Sequence, residues 1–120
     1  MGRGAGDLLD QLDILLNWVE QTLRGKTFEN LLRDQDALDA ITYRLSMIGE
    51  TCKKLLDELK ARYPALPWKQ MTRFRNVVSH DYLSVVPVFV WATAQELAPI
   101  RAMCDAELTR LDRKNEPQPE

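Results

Sequence analysis

The chain has 120 residues, of which 45% are hydrophobic and 28% are charged, and its 16 Lys and Arg against 18 Asp and Glu give a net charge of −2. This length and balance predict a single soluble domain, and the lack of a long apolar run or an apolar leader predicts a cytoplasmic protein without membrane association. A single histidine, His80, and two distant cysteines, Cys52 and Cys104, exclude within one chain a two-histidine metal centre, a CxxC redox pair and a Cys/His zinc site. We therefore predict neither a metal nor a cofactor, and we expect both cysteines to be small buried hydrophobes.

Apolar residues recur at three- and four-residue steps along the chain, which predicts helices. The first helix is expected between Asp7, a good N-cap, and Gly25, which suits the position after the last turn. A short helical turn capped by Thr27 follows. Asp34 or Asp36 then starts the longest predicted helix, of about 27 residues and near 40 Å.

The prolines of Tyr63–Pro67 end that long helix, because each lacks an N–H and disfavours αR in the residue before it. The next helix is predicted from Trp68 to about Ser79. The β-branched residues of Val85–Trp91 raise the alternative of a strand, but a proline in the first turn and helical spacing favour a helix.

Pro99 marks a kink or boundary before the last predicted helix. Residues 113–120 are expected to form a disordered polar tail, so the predicted domain is residues 1–112. A lone strand without a partner is not viable, and the fold class is therefore all-α, an up-and-down bundle.

Charge is unevenly distributed along the chain. Residues 7–39 contain eight acids and three bases, whereas residues 59–80 contain no acid and five bases: Lys60, Arg62, Lys69, Arg73 and Arg75. This stretch is interpreted either as a solvated helix face or as a local positive surface for a phosphate backbone. In the second interpretation, Lys69 and Arg73 are candidate RNA-binding residues.

The residues best suited to chemistry lie between Arg75 and Tyr82. A guanidinium matches two phosphate oxygens with its forked donors, and an imidazole gives or takes a proton near neutral pH. Together they supply what metal-free RNA cleavage needs, namely proton removal from the 2′-hydroxyl, stabilisation of the phosphorane and protonation of the leaving 5′-oxygen. The alternative interpretation of His80 is a structural cap or surface residue.

One imidazole does not easily serve as both base and acid. A C2 dimer would supply two copies of Arg75 and His80 at one site. On an ideal helix these two positions point about 140° apart, so convergence on one phosphate requires a helix end, a distortion or a second chain.

The pattern Arg-x4-His-x-Tyr from Arg75 to Tyr82 is similar to the motif of HEPN domains. Three further segments extend the likeness to the HepT-like toxins of HEPN–MNT toxin–antitoxin systems: Ile48-Gly49-Glu50, Tyr63-Pro64-Ala65-Leu66-Pro67-Trp68 and Val90-Trp91. The resemblance extends from Asp7 to about Leu108. It implies a four- to five-helix bundle that forms a homodimer and acts as a metal-independent endoribonuclease at the subunit cleft.

The resemblance also implies roles for individual residues. Arg75 would bind and stabilise the scissile phosphate, His80 would be the acid/base group, and Asn76 would orient the pair. Tyr82 matches the tyrosine that the partner antitoxin, a minimal nucleotidyltransferase, modifies with AMP. The negatively charged adenylate would occupy the phosphate pocket and repel RNA, whereas the structural alternative is a packed phenol at the dimer interface.

Two further residues are predicted to support the site. Ser79 stands where this family usually has an apolar residue, and its hydroxyl either hydrogen-bonds His80 or RNA or has no role. Glu50 follows a glycine that permits close helix approach, and it is expected to pair with Arg75 or Arg73.

Most of the other polar and aromatic residues are expected to lie outside the site. Tyr43 and Arg44 are candidates to line a dimer cleft. The three tryptophans are interpreted as packing residues rather than base-stacking platforms. The acidic residues Asp34, Asp36 and Asp39 are interpreted as a solvated face rather than a Mg²⁺ cluster.

Three functional hypotheses follow. The first is a ribonuclease toxin with a composite Arg75/His80 site. The second is a non-catalytic module that binds nucleotide or RNA, and the third is a structural helical adaptor.

Overall fold

The computed structural model describes residues 4–115, and within that range it contains no strand, which confirms the all-α class. Five helices have nine or more residues, in agreement with the predicted four- to five-helix bundle, and two have five. The helices are α1 Ala5–Leu23, α2 Phe28–Leu32, α3 Gln35–Lys54, α4 Asp57–Ala61, α5 Trp68–His80, α6 Pro87–Gln95 and α7 Leu97–Asn115, with a 3-10 turn at Tyr82–Ser84. The homodimer stays a prediction.

The first helices begin and end at capping residues close to those expected. Gly25 has a φ of 71° just after α1, a conformation that glycine adopts without steric cost. Helix α1 begins at Ala5 with Gly4 as its N-cap, three residues before the expected cap Asp7, so Asp7 lies in its first turn. Thr27 caps α2 in a reciprocal capping box with Asn30.

The prediction of one long helix through this region is wrong. Asp34 caps α3 by accepting a hydrogen bond from the backbone N–H of Ala37 at 3.0 Å. The helix then ends at Lys54, because Leu55 and Leu56 adopt extended backbone angles before α4 begins. Neither is a glycine or proline, so the break carries no local sequence signal.

The second half of the chain is helical, as predicted. Pro87 is the first residue of α6, where its missing N–H costs nothing. The boundary before α7 falls at Glu96, so Pro99 lies in the first turn of the last helix. Helix α7 continues to Asn115, which makes residues 113–115 of the expected tail helical, while residues 116–120 lie outside the described range.

Helix α3 lies at the centre of the fold and packs mainly against α5 and α1. The core includes fully buried residues of α1, α3, α5 and α7, among them Leu12, Leu16, Ile41, Leu45, Ile48, Met71, Phe74, Ile100 and Met103, and Leu31 of α2 and Val90 of α6 also belong to it. At Gly49 the backbones of α3 and α5 approach so closely that a Cβ would overlap the carbonyl oxygen of Met71 and lie 3.1 Å from Arg75 Cβ. The distance between α3 and α5 therefore depends on this glycine.

Two polar clusters join distant helices. Arg101 of α7 is 20% exposed and binds Asp13 and Glu20 of α1. Glu107, also on α7, is buried and accepts hydrogen bonds from Arg62 and from the Tyr63 hydroxyl, the latter at 2.7 Å. Burial would raise the pKa of Glu107, but these hydrogen bonds outweigh it and lower the pKa below its ordinary value. The second cluster fixes the loop that leads into α5.

No helix within residues 4–115 is both long and apolar enough to cross a membrane.

Candidate active site

Helix α5 carries most of the candidate site residues. Met71 and Phe74 are fully buried and hold its inner face against the core. The helix runs without interruption from Trp68 to His80, and the backbone N–H of Asp81 closes it by donating to Val77. The positions of Arg75, Asn76 and His80 are thus fixed by one rigid element.

Arg75 lies on the side of α5 that faces α3. Its Nε is 2.8 Å from Glu50 Oε2, which confirms the expected pairing and selects Arg75 over Arg73. Neither atom has a well-aligned hydrogen-bond partner, so the contact is an ion pair at close range. Arg75 Nη1 also donates to Asn76 Oδ1 at 3.2 Å. The guanidinium is held at its Nε edge and by Asn76, and its side chain keeps 29% exposure.

His80 is the last residue of α5 and is exposed. Because the helix neither ends nor distorts before His80, the angle of about 140° between the directions of Arg75 and His80 is preserved. Arg75 and His80 of one chain therefore point to different sides of α5, and a site built from two chains stays a prediction.

The other candidates on α5 face solvent. Lys69, Arg73, Asn76 and Ser79 are all exposed. Helical geometry places Lys69, Arg73 and Asn76 on the same face as His80, within about 60° of one another. The Ser79 hydroxyl has no hydrogen bond with another residue in the described part of the chain.

Tyr82 makes a contact that the sequence did not reveal. Its hydroxyl donates to Asp39 Oδ1 of α3 at 2.5 Å, although the ring is 40% exposed. The hydrogen bond to Asp39, aided by partial burial, raises the pKa of Tyr82 to about 12. Hydrogen bonds from Tyr82 and Gln35 lower the pKa of Asp39 in turn. No local pattern links two residues 43 positions apart, and the sequence predicts for Asp39 only a place on a solvated acidic face.

Replacing Asp39 with asparagine is expected to lower the pKa of Tyr82 from about 12 towards its ordinary value of 10.0, because the main cause of the shift is removed. Titration of 13Cζ-labelled tyrosine by NMR measures this directly. Tyr63, whose pKa is raised by Glu107, is the internal control and should not move. In the wild type, the raised pKa of Tyr82 favours folding below pH 10.0, and this contribution is lost as the pH rises to about 12. An unchanged Tyr82 titration in Asp39→Asn would contradict the assignment.

A set of exposed apolar residues directly follows the motif. Leu83 is 96% exposed, Val88 60% and Val86 53%. We call these three residues the apolar turn. A nearly fully exposed leucine followed within five residues by two exposed valines is unusual for a surface that contacts only water.

The acidic residues near α3 and the two cysteines have roles in the structure rather than in a metal or redox site. Asp34 caps α3 and Asp39 binds Tyr82, and within residues 4–115 no three His, Cys, Asp or Glu side chains come together as a metal site. Both cysteines are buried, as predicted, and burial raises the pKa of Cys52 and of Cys104 to about 12, so neither is a thiolate nucleophile near neutral pH.

Two of the three tryptophans contact the core as expected, and one of these two, Trp68, also lines a surface groove. Trp68 and Trp91 are partly buried against the core. Trp18 differs, since it is 48% exposed and its ring lies under the Arg44 guanidinium, 5.5 Å from the ring centroid. Tyr43 is 60% exposed, and its expected place in a dimer cleft stays a prediction.

Comparison with known proteins gives a consistent family. A family model described as "Ribonuclease HepT-like" matches residues 12–106. "Probable ribonuclease HepT" of Thermococcus cleftensis is 30% identical over 99 residues, which cover 82% of this chain and 90% of that protein. A provisionally named RNase of Methanocaldococcus jannaschii is 25% identical over 111 residues, covering 92% and 88% of the two chains. A provisionally named RNase of Caldanaerobacter subterraneus subsp. tengcongensis is 28% identical over 92 residues, covering 77% and 79%. No solved structure gives a significant match.

Proposed function

The chain belongs to the HepT-like ribonuclease family, and from this premise we propose that it is a metal-independent endoribonuclease and the toxin of a toxin–antitoxin system. The observation that carries the proposal is the placement of Arg75 and His80 on one uninterrupted, acid-free helix, with Arg75 held by Glu50. Both groups are accessible to solvent, as an RNA substrate requires.

The reaction proposed is transesterification within the RNA backbone. His80 of one chain removes the proton from the 2′-hydroxyl, whose oxygen attacks the adjacent phosphorus. The bond from phosphorus to the 5′-oxygen breaks, and the leaving oxygen takes a proton from a second imidazole. The products are a 2′,3′-cyclic phosphate and a 5′-hydroxyl.

Arg75 binds and stabilises the phosphate and takes no part in proton transfer. Its ion pair with Glu50 engages Nε, while N–H groups of the guanidinium that bind neither Glu50 nor Asn76 are available to the phosphate oxygens. Asn76 accepts one Nη1 hydrogen bond and so restrains the guanidinium plane. Glu50 and Asn76 are therefore supporting residues, which fix the orientation of Arg75. Ser79, exposed beside His80, is an available hydroxyl for RNA.

Dimerisation supplies the second imidazole. Each chain has one histidine, and its single helix α5 keeps Arg75 and His80 directed to different sides. A C2 dimer that brings two α5 helices together unites two copies of each residue at one site. The apolar turn lies next to His80 in the chain and is the surface that we assign to the dimer contact.

The same site is proposed to be silenced by a minimal nucleotidyltransferase antitoxin that adenylylates Tyr82. The phenol oxygen attacks the α-phosphorus of a nucleoside triphosphate, pyrophosphate leaves, and the phenolic proton is released. Tyr82 lies two residues after His80 and is 40% exposed, so the attached phosphate adds negative charge where the RNA backbone must bind.

The experiment that tests the proposal is cleavage of a labelled single-stranded RNA in excess EDTA, with mass spectrometry of the product ends. We expect cleavage with 2′,3′-cyclic phosphate ends, and a rate lower by about 10² to 10⁴ in His80→Ala. Purified His80→Ala controls for contaminating nuclease. Loss of activity in EDTA, or equal rates for the two proteins, would overturn the proposal. RNA binding without cleavage would favour the non-catalytic module.

A further inference from the structure

An open groove of about 340 Å³ lies along the outer face of the first half of α5. It is lined by Trp68, Lys69, Thr72, Arg73 and Asn76. The indole N–H of Trp68 donates to the Tyr63 carbonyl oxygen at 2.9 Å, which fixes the ring at the groove wall. The groove thus combines an aromatic surface held in place with two cations.

The two cations of the groove are not neutralised by the protein. Lys69 and Arg73 are exposed, and neither forms an ion pair with any residue in the described range. The acid-free stretch 59–80 surrounds them in the sequence. Their full charges are available to an anionic ligand.

The groove lies in register with His80. Lys69, Arg73 and His80 share one face of α5, and the two cations are about 16 and 10 Å from His80 along the helix axis. A ligand in the groove therefore lies away from the reacting phosphate, but on the same face of α5, along which one RNA strand can run.

We propose that this groove binds a nucleotide of single-stranded RNA that flanks the scissile phosphate, with its base stacked on Trp68 and its phosphates contacted by Lys69 and Arg73. The inference rests on the proposed function, since it names a subsite for the same substrate. Single-stranded nucleic-acid sites combine a cationic groove with aromatic rings on which bases stack. In a duplex the bases are already stacked on one another, so no base offers a free face to the Trp68 ring.

The test measures binding without cleavage, in His80→Ala protein with a fluorescent single-stranded RNA of roughly 12 nucleotides. Adding Lys69→Glu and Arg73→Glu is expected to weaken binding at least about tenfold and to reduce the slope of log K against log salt by about 1.4, the value for two phosphate contacts. The matched control is Lys26→Glu with Arg33→Glu, which makes the same change in net charge at exposed residues outside α5.

Trp68→Leu, with folding checked by thermal unfolding, is expected to weaken binding about tenfold without changing the salt slope. Failure of this variant to fold leaves the charge-reversal pair as the test. An equal loss in the control pair, or equally tight binding of duplex RNA, would overturn the subsite.

The outcomes for the subsite and for the nuclease are separable. Wild-type protein that binds RNA through Lys69 and Arg73 but never cleaves it supports the subsite and overturns the nuclease. If the wild-type protein cleaves RNA and the Lys69→Glu/Arg73→Glu variant cleaves it with the same KM, the subsite alone is overturned.

Discussion

Replacing Gly49 with alanine is expected to lower the free energy of unfolding by about 2 kcal/mol, although alanine is the better helix former. The added Cβ would overlap the Met71 carbonyl oxygen, a backbone atom that moves only if α5 moves. Urea unfolding measures the change. Since Arg75 lies on the displaced helix, we also expect a lower rate of RNA cleavage from the folded variant.

Gly6→Ala is the matched control for this prediction. Gly6 is also within a helix, but a Cβ there would meet only Leu111 Cδ1, at an ordinary 3.7 Å. We expect Gly6→Ala to stabilise the protein slightly, by up to about 1 kcal/mol. Equal stability of the Gly49→Ala and Gly6→Ala proteins would show that the close approach of α3 and α5 is not limiting.

Mixing wild-type chains with a ninefold excess of His80→Ala chains under conditions of subunit exchange should reduce cleavage to about 1% of that of an equal total amount of wild-type protein. If one site needs both copies of His80, only dimers of two wild-type chains are active, so activity falls as the square of the wild-type fraction. Independent chains would retain about 10%. A titration over several ratios distinguishes the quadratic from the linear dependence.

The apolar turn provides the control for the mixing experiment. A His80→Ala chain that also carries Leu83→Glu should not join the dimer. Its excess should therefore leave the activity equal to that of the same amount of wild-type protein alone. Leu32→Glu is the matched substitution, since Leu32 is also an exposed leucine but lies on α2. Suppression by the Leu32→Glu chain and not by the Leu83→Glu chain is the expected result. Equal suppression by both would place the dimer contact elsewhere.

Local patterns were sufficient to predict most of the helices. Periodic apolar residues, the Thr27 cap, Gly25 and Pro87 each act within a few positions, so their effects are visible in a short window of sequence. The break at Leu55 and Leu56 was missed because it involves no glycine or proline. There Leu55 is buried although its backbone is extended, so packing rather than local propensity accompanies the break.

For the candidate site, the sequence predicts a set of residues but not how they are arranged. The motif named Arg75, His80 and Tyr82, and Glu50 was correctly expected to pair with a nearby arginine. The hydrogen bond from Tyr82 to Asp39 and the contacts of Arg101 with α1 join residues 43 to 88 positions apart. These side-chain contacts follow no periodic pattern in the sequence, so only the folded chain reveals them.

Gly49 and Glu50 are consecutive in the chain but differ in how a change in either can be compensated. Glu50 meets a side chain, so a substitution at position 50 has a possible compensating substitution at position 75. Gly49 meets the backbone carbonyl of Met71, which every residue type at position 71 would carry. Among relatives with this helix pair, positions 50 and 75 are therefore expected to covary, whereas position 49 should accept only glycine unless the two helices separate.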